Sequence, residues 1–339
     1  MDWEGWIAEV EGARTAFATL LGTVPANIAV GTSVSQLVSS VASALATSEK
    51  IPFTRRRIVS SVADFPGVVH AWLALRAQGW QIELLEADER NCVGAERFYA
   101  ALKQDTALLS VPHVGYTNGA LLDLPALADA AHARGSLVFV DAYQSLGTIP
   151  LNVQASAVDF LAAGTLKYLC GTAGIAFLYV HPRVQEQLRP TVTGWFGRQN
   201  PFAFDPRQLD YAASASRFDL GTPPVLNAYA ARSGIDLLLA TGIELIRAQI
   251  LRLSASASEH AARLGLTING PLDVSARGAT TAIETPSPGH AHQIEVDLRQ
   301  RAMLVSARGH LVRLAPHGFT HEEEVLATLT AIAQLLKAT

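Results

Sequence analysis

Short continuous apolar runs alternate along this chain with stretches whose apolar residues recur at helical spacing. From Trp3 to Leu21 the spacing predicts a helix ending near Gly22. In "ANIAVGTSVSQLVSSVASALATS" the "IAV" run predicts a strand, "GTS" a turn rich in backbone donors, and "SQLVSSVASALA" a helix. "RRIVSSVADFPG" reads as a strand ending in a turn, "VVHAWLALRAQG" as a helix closed by Gly79, and "WQIELLEAD" as a strand. The helix "GAERFYAALKQ", the strand "TALLSVPHV", the helix "DLPALADAAHARG" and the strand "SLVFVDA" follow in turn.

Strands that are apolar throughout, alternating with helices, predict an α/β fold with a mostly parallel sheet covered on both faces. Helical sequence from about Leu226 to Leu264 leads to a different pattern. There "LTINGPLD", "TTAIETP" and "HLVRLAP" read as short strands of a smaller α+β unit. The closing helix, "HEEEVLATLTAIAQLLKA", has Thr320 as its expected N-cap. The expected division is a large domain over 1–235 and a small C-terminal domain over 236–339.

The chain has 339 residues, 49% of them apolar and 17% charged, which suits two well-buried globular units. A formal net charge of −4 argues against a nucleic-acid partner. The ten histidines show no metal-ligand spacing, so no metal is expected. Two cysteines, Cys92 and Cys170, make no disulfide framework and suit a reducing compartment. The acidic, amphipathic N-terminus does not read as a signal peptide, and no apolar run is long enough for a membrane span. The expectation is a cytoplasmic protein without membrane or nucleic-acid partners.

Against this apolar background two charges stand out. Asp141 ends one apolar run and Lys167 follows 26 residues later between two others. In open parallel sheets ligands sit beyond the carboxyl ends of the strands. Thr32 and Ser33, Asp64 and Phe65, His113 to Asn118, Asp141 to Gln144, and Thr165 to Lys167 all fall just after strand runs. A lysine in an apolar setting loses part of its charge preference and becomes a nucleophile near neutral pH. An aspartate beside it suits the protonated nitrogen of a pyridine cofactor. Taken singly, a surface lysine and an N-capping aspartate are the plain alternatives.

The segments "FVDAYQSLG" and "LAAGTLKYLCGTAGIAFLYV" resemble the two hallmark segments of class V aminotransferases, a family of pyridoxal-phosphate enzymes. "VADFPG", "GWFG", "RFDLGTPPVL" and "HLVRLAPHGFTHEEEV" resemble further segments of its kynureninase-like members, in the same order and over nearly the whole chain. The resemblance implies fold type I, with a large domain built on a mostly parallel seven-stranded sheet between helices. It implies pyridoxal 5'-phosphate as cofactor, a small-molecule amino acid as substrate, and a homodimer with active sites at the subunit interface. By the same resemblance Lys167 is the Schiff-base lysine, Asp141 the partner of the pyridine nitrogen, and Gln144 the partner of the ring hydroxyl. Phe65 stacks on the ring. Thr32 and Ser33 supply donors to the phosphate at a helix start. Trp195 and Thr222 add phosphate donors, Thr222 from the second subunit, and Arg313 clamps the substrate α-carboxylate. Asn118 faces the substrate or is a plain turn residue. Core packing is the alternative for Phe65 and Trp195, and a structural ion pair for Arg313.

Three departures from the pattern matter. Relatives carry a His or Tyr just before the lysine that helps with the phosphate; here it is Leu166, with Thr165 as a partial replacement. Relatives also carry a longer N-terminal segment, so a more open site is expected. The mobile cysteine of cysteine desulfurases is missing between Ala282 and Arg313, and Cys92 and Cys170 read as structural thiols. The leading expectation is an aminotransferase or kynureninase-like lyase. A cysteine desulfurase, selenocysteine lyase or C–S lyase, and a degenerate non-catalytic relative, are the alternatives.

Overall fold

The structure, a computed structural model, describes residues 2–338 of the chain. Seven strands form the large sheet: β1 (Ile28–Gly31), β2 (Arg57–Ser61), β3 (Gln81–Leu85), β4 (Thr106–Pro112), β5 (Leu137–Asp141), β6 (Phe160–Gly164) and β7 (Ala176–Val180). Their spatial order is β1-β7-β6-β5-β4-β2-β3. The neighbours from β3 to β6 pair in parallel, and β7 runs antiparallel to both β6 and β1.

Alternation along each strand sends neighbouring side chains into opposite layers. Val59, Leu109, Val138, Val140, Leu161 and Phe177 pack into one layer with α1 (Trp3–Leu20), α4 (Ala95–Ala101), α5 (Leu124–His132) and α8 (Val225–Thr241). Ile58, Leu108, Phe139, Phe160, Ala162 and Leu178 pack into the other with α2 (Val34–Thr47) and α3 (Pro66–Ala74). Both layers demand apolar residues, which is why these strands read as continuous apolar runs. Two short helices, α6 (Val153–Ser156) and α7 (Pro182–Gln185), complete this part.

Local signals set the helix starts. The Ser33 hydroxyl accepts the Gln36 N–H and caps α2, and Asp123 caps α5 through the Ala126 N–H. The edge strand β1 is covered by a buried ion pair. Arg14 donates to the Ile28 carbonyl and, at 2.9 Å, to Asp219, whose other oxygen accepts the Val30 N–H at 2.7 Å. This clamp satisfies backbone groups that an open edge would leave exposed, and it holds the strand that leads into α2.

The small domain holds β8 (Ile268–Asn269), β9 (Thr281–Glu284), β10 (Ser306–Arg308) and β11 (Leu311–Leu314), antiparallel in the order β10-β11-β9-β8. Helices α10 (Pro288–Gln300) and α11 (Glu322–Ala338) and the second half of α9 (Ile243–Leu264) pack against it. The edge strand β10 was not anticipated, because its residues are polar or half-exposed and it pairs only with β11.

The expected boundary between residues 235 and 236 falls inside α8. The packing changes over inside α9, where Ile243, Ile246 and Ile250 join the large core and Leu253, Ala257 and Ala261 join the small one. Thr320 is not the cap of α11: its hydroxyl accepts the His317 N–H, and Glu324 instead reaches back to the His321 N–H at 3.0 Å.

Candidate active site

A cavity of ≈ 310 Å³ opens at the carboxyl ends of the parallel strands, between the starts of α2 and α3 and the turn that joins β6 to β7. Thr32, Ser33, Phe65, Asp141, Gln144 and Lys167 all line it, as do Tyr116 and Tyr143. Six residues singled out in the sequence thus meet in one place, because each follows a strand that ends at the same edge of the sheet.

Lys167 sits in the β6–β7 turn with Nζ 4.5 Å from the Tyr143 ring centroid and 5.6 Å from that of Phe65. Burial pulls its amine below the ordinary lysine value, the charge of Asp141 works the other way, and Arg313 and Arg308 pull it further down. Asp141 is the last residue of β5 and is buried. One of its oxygens accepts the Tyr143 backbone N–H at 2.9 Å, and the other has no hydrogen-bond partner among the described residues. Burial pushes its carboxyl up, and the Tyr143 N–H and Lys167 restrain the rise.

A second buried acid stands behind it. Asp64 accepts the Phe65 N–H at 2.8 Å and the Ser110 hydroxyl at 3.1 Å, and Ser110 in turn accepts the Trp72 indole N–H at 2.9 Å. Burial and the charge of Asp141 push Asp64 well up. Two carboxylates this close disfavour double ionisation, and ionisation is favoured on Asp141, the member with Lys167 beside it. Asp64 had a sequence signal, a lone acid at a strand end, but nothing in it indicated a role.

At the start of α2 the Thr32 N–H and hydroxyl both donate to the side-chain carbonyl of Gln36, at 2.7 and 2.6 Å. These are donors that a helix N-terminus offers to an anion. The Gln36 oxygen takes them here; no sequence signal marked Gln36. Phe65 is 46% exposed, so its ring is open to the cavity, and it meets Tyr116 edge-on at 5.4 Å.

Other expected residues are placed elsewhere. Asn118 is turned away from the cavity: its amide donates to the Arg90 carbonyl at 2.7 Å and accepts the Ala120 N–H at 3.1 Å, and Tyr116 is the residue of this loop that lines the cavity. Thr165 is buried beneath the turn, its hydroxyl donating to the Thr172 carbonyl at 2.8 Å; it braces the lysine loop and does not reach the cavity. Trp195 packs with Phe196 and Trp3, with ring centroids 4.3 and 5.8 Å away, beside a separate cavity of ≈ 470 Å³. Thr222 is exposed on the following loop and does not line the Lys167 cavity of its own chain.

Arg313, on β11, is half-buried just outside the lining. Its Nε and Nη2 donate to the Ser306 hydroxyl at 3.2 and 2.8 Å, and Nη1 donates to the Tyr116 carbonyl. It therefore ties the small domain to the loop that borders the cavity. Neither cysteine lines the Lys167 cavity. Cys170 borders another one, of ≈ 390 Å³, where the nearby His317 accepts the Gly318 N–H on Nδ1 and faces the Tyr168 carbonyl with Nε2 at 3.0 Å. That pairing places the ring proton on Nε2, so His317 is no base for the thiol.

The donor set suits a phosphorylated pyridine: an open carboxylate oxygen on Asp141, a depressed amine on Lys167, an apolar ring on Phe65, and anion donors at the start of α2. Residues 4–328 match the protein family described as Aminotransferase class-V. The chain is 35% identical over 332 residues to the uncharacterized aminotransferase YcbU of Bacillus subtilis (strain 168), covering 98% of this chain and 85% of that one. It is 27% identical to the kynureninase of Pseudomonas fluorescens over 291 residues, 83% of this chain and 68% of that one. Among solved structures, a cysteine desulfurase from Thermococcus onnurineus NA1 superposes with a TM-score of 0.88 at 22% identity, over 99% of this chain and 86% of that one. The cystine C–S lyase C-DES superposes with a TM-score of 0.86 at 20% identity, over 97% and 87%. At these identities the two structures speak for the shared fold.

Proposed function

The chain belongs to the class V aminotransferase family of pyridoxal-phosphate enzymes, and from that premise we propose that it acts on an α-amino acid, as an aminotransferase or a kynureninase-like lyase, with Lys167 carrying the cofactor. The observation that carries this reading is the meeting of Lys167 and Asp141 in one cavity, each with an environment that shifts its protonation. When bound, the cofactor supplies a ring that accepts the electron pair left by a broken bond at Cα.

The residues of the chain do the rest. Asp141, with one oxygen already fixed by the Tyr143 N–H, presents the other to a protonated ring nitrogen. Its charge favours that protonated form in a site where few counter-charges are available. Phe65 covers an aromatic ligand and excludes water. In this reading Gln144 hydrogen-bonds a ring substituent, and Thr32 and Ser33 hold a phosphate once Gln36 gives way; their shared lining of the cavity supports it. Lys167, with a lowered affinity for its proton, is suited to take the Cα proton of the substrate onto Nζ. Arg313 is positioned beside the cavity to orient a carboxylate.

A cysteine- or selenocysteine-type lyase is the second reading, and the geometry limits it. No thiol among the described residues lines the Lys167 cavity, so sulfur transfer through a protein persulfide lacks its acceptor, whereas simple elimination needs none. The reading also includes a homodimer in which Trp195 and Thr222 serve the partner's cavity. The placement of both residues away from their own chain's cavity supports it. The two unpaired cysteines support a cytoplasmic location.

The test is direct. The purified chain is titrated with pyridoxal 5'-phosphate, and a visible absorption band with saturable binding is expected. A screen of amino acids should then perturb that band, and product analysis identifies the reaction. Absence of saturable binding would reduce the chain to a non-catalytic relative.

A further inference from the structure

Tyr143 is a cavity residue to which the roles above assign only its backbone. Its ring centroid lies 4.5 Å from Lys167 Nζ, nearer than that of Phe65. Its hydroxyl rests against Gly164, the last residue of β6, where any Cβ would collide with it. The backbone amide of Leu166 faces the same hydroxyl. An N–H turned toward the oxygen is no acceptor for the phenolic proton, which donates to no group among the described residues. A phenol partly enclosed in a protein normally finds an acceptor.

The strand register locates the hydroxyl. Gly164 pairs with Ala176, and Ala176 pairs with Gly31. Gly164 and Gly31 are therefore two strand spacings apart, roughly 10 Å. Thr32 and Ser33 follow Gly31 directly and open α2. The packing agrees, since Tyr143 sits against the same apolar layer as Val34 and Leu37 of α2. A donor without an acceptor, the α2 donors and the lysine amine thus border one cavity.

We propose that Tyr143 is a further ligand-binding residue of this site: its phenol donates to the phosphate of the cofactor, and its ring face holds the Lys167 ammonium. The proposal rests on the pyridoxal-phosphate reading. It accounts for two features together, the leucine at 166, which offers no side-chain donor, and the glycine at 164, which makes room for the phenol. A neutral phenol also suits the position, because burial and Asp141 hold its ionisation up.

The experiment compares wild type, Tyr143→Phe and Tyr143→Leu, each titrated with pyridoxal 5'-phosphate and with pyridoxal, which lacks the phosphate. Thermal unfolding first establishes that each variant is folded. Tyr143→Phe should weaken binding of the phosphorylated ligand about tenfold or more, the scale of one hydrogen bond to a charged group, and leave pyridoxal unchanged. Tyr143→Leu should add a second effect: with the ring gone the ammonium loses a stabilising face, so the pH at which Lys167 begins to react with pyridoxal should fall. Equal affinity of wild type and Tyr143→Phe for the phosphorylated ligand overturns the phenol's role, as do equal losses with both ligands, which mean simple packing. An unmoved or raised pH profile in Tyr143→Leu overturns the ring's role; should that variant not fold, Tyr143→Phe alone decides the phosphate contact. If wild type binds neither ligand, the cofactor reading itself fails, an outcome distinct from a normal wild type with an unaffected variant.

Discussion

Replacing Arg313 by lysine keeps the charge and removes the fork. A guanidinium has five N–H donors. Here Nε and Nη2 share the Ser306 hydroxyl and Nη1 serves the Tyr116 carbonyl, which leaves one donor on each terminal nitrogen for a substrate. Two terminal donors match the two oxygens of a carboxylate. An ammonium has three donors radiating from one atom and cannot serve Ser306, Tyr116 and both oxygens at once. One charge-assisted hydrogen bond is therefore lost, about 2 kcal/mol, or roughly 30-fold in Kd. The assay is the spectral change of the bound cofactor, titrated with an α-amino acid and with the matching amine that lacks the carboxylate. The amino acid should lose affinity by that factor and the amine by less than about twofold. Cofactor binding should be unchanged. Equal losses for both ligands would refute the reasoning and leave Arg313 as a tie between the small domain and the Tyr116 loop.

Lys167→Ala should abolish the visible band and turnover; borohydride reduction and peptide mapping should mark Lys167, and a label on Lys50, Lys103 or Lys337 instead would sink the assignment. Asp141→Asn should retain cofactor yet slow Cα-proton exchange far more than substrate binding, and exchange at the native rate would exclude it as the ring-nitrogen partner. His113 provides a pH test of stability. Burial, helped by Arg247, holds its imidazole down at about 4 against an ordinary 6.5. The unfolded chain therefore binds the extra proton first, so stability present above about pH 6.5 is lost as pH falls, by up to about 3 kcal/mol once pH reaches the folded value. Denaturant melts at pH 7 and pH 4.5 should show a smaller drop for His113→Gln than for wild type, and identical drops would mean that His113 takes up its proton without penalty. Gly147 has φ +95°, and a Cβ there would strike the Tyr168 carbonyl behind the lysine turn. Gly147→Ala should cost on the order of 1–3 kcal/mol and weaken cofactor binding with it; a thermally unchanged variant would contradict the packing.

Residue pattern alone gave the first five strands of the large sheet and the helices between them, because a strand buried on both faces must be apolar throughout; the count of seven strands came from the family resemblance. The pattern also indicated that Thr32, Phe65, Asp141, Gln144 and Lys167 lie at one edge of the sheet, where they line one cavity, because every parallel strand delivers its following residue to the same edge. The short strand β10 escaped notice, since an edge strand of three residues, two half-exposed and one exposed, carries no periodic signal. The tertiary structure decided where the loop side chains point. Asn118 and Tyr116 are two residues apart, and either could have faced the cavity; the Arg90 carbonyl, 28 residues back in the chain, captures the asparagine amide and leaves the tyrosine on the cavity. Thr165 and Lys167 are likewise two apart, and the Thr172 carbonyl draws one hydroxyl under the turn. Tyr143 reaches Lys167 because residue 164, on a neighbouring strand, has no side chain. Periodicity and position after a strand are local properties that a sequence carries on its face. The direction of a side chain in a loop is set by hydrogen-bond partners and free space that only the folded chain brings alongside it.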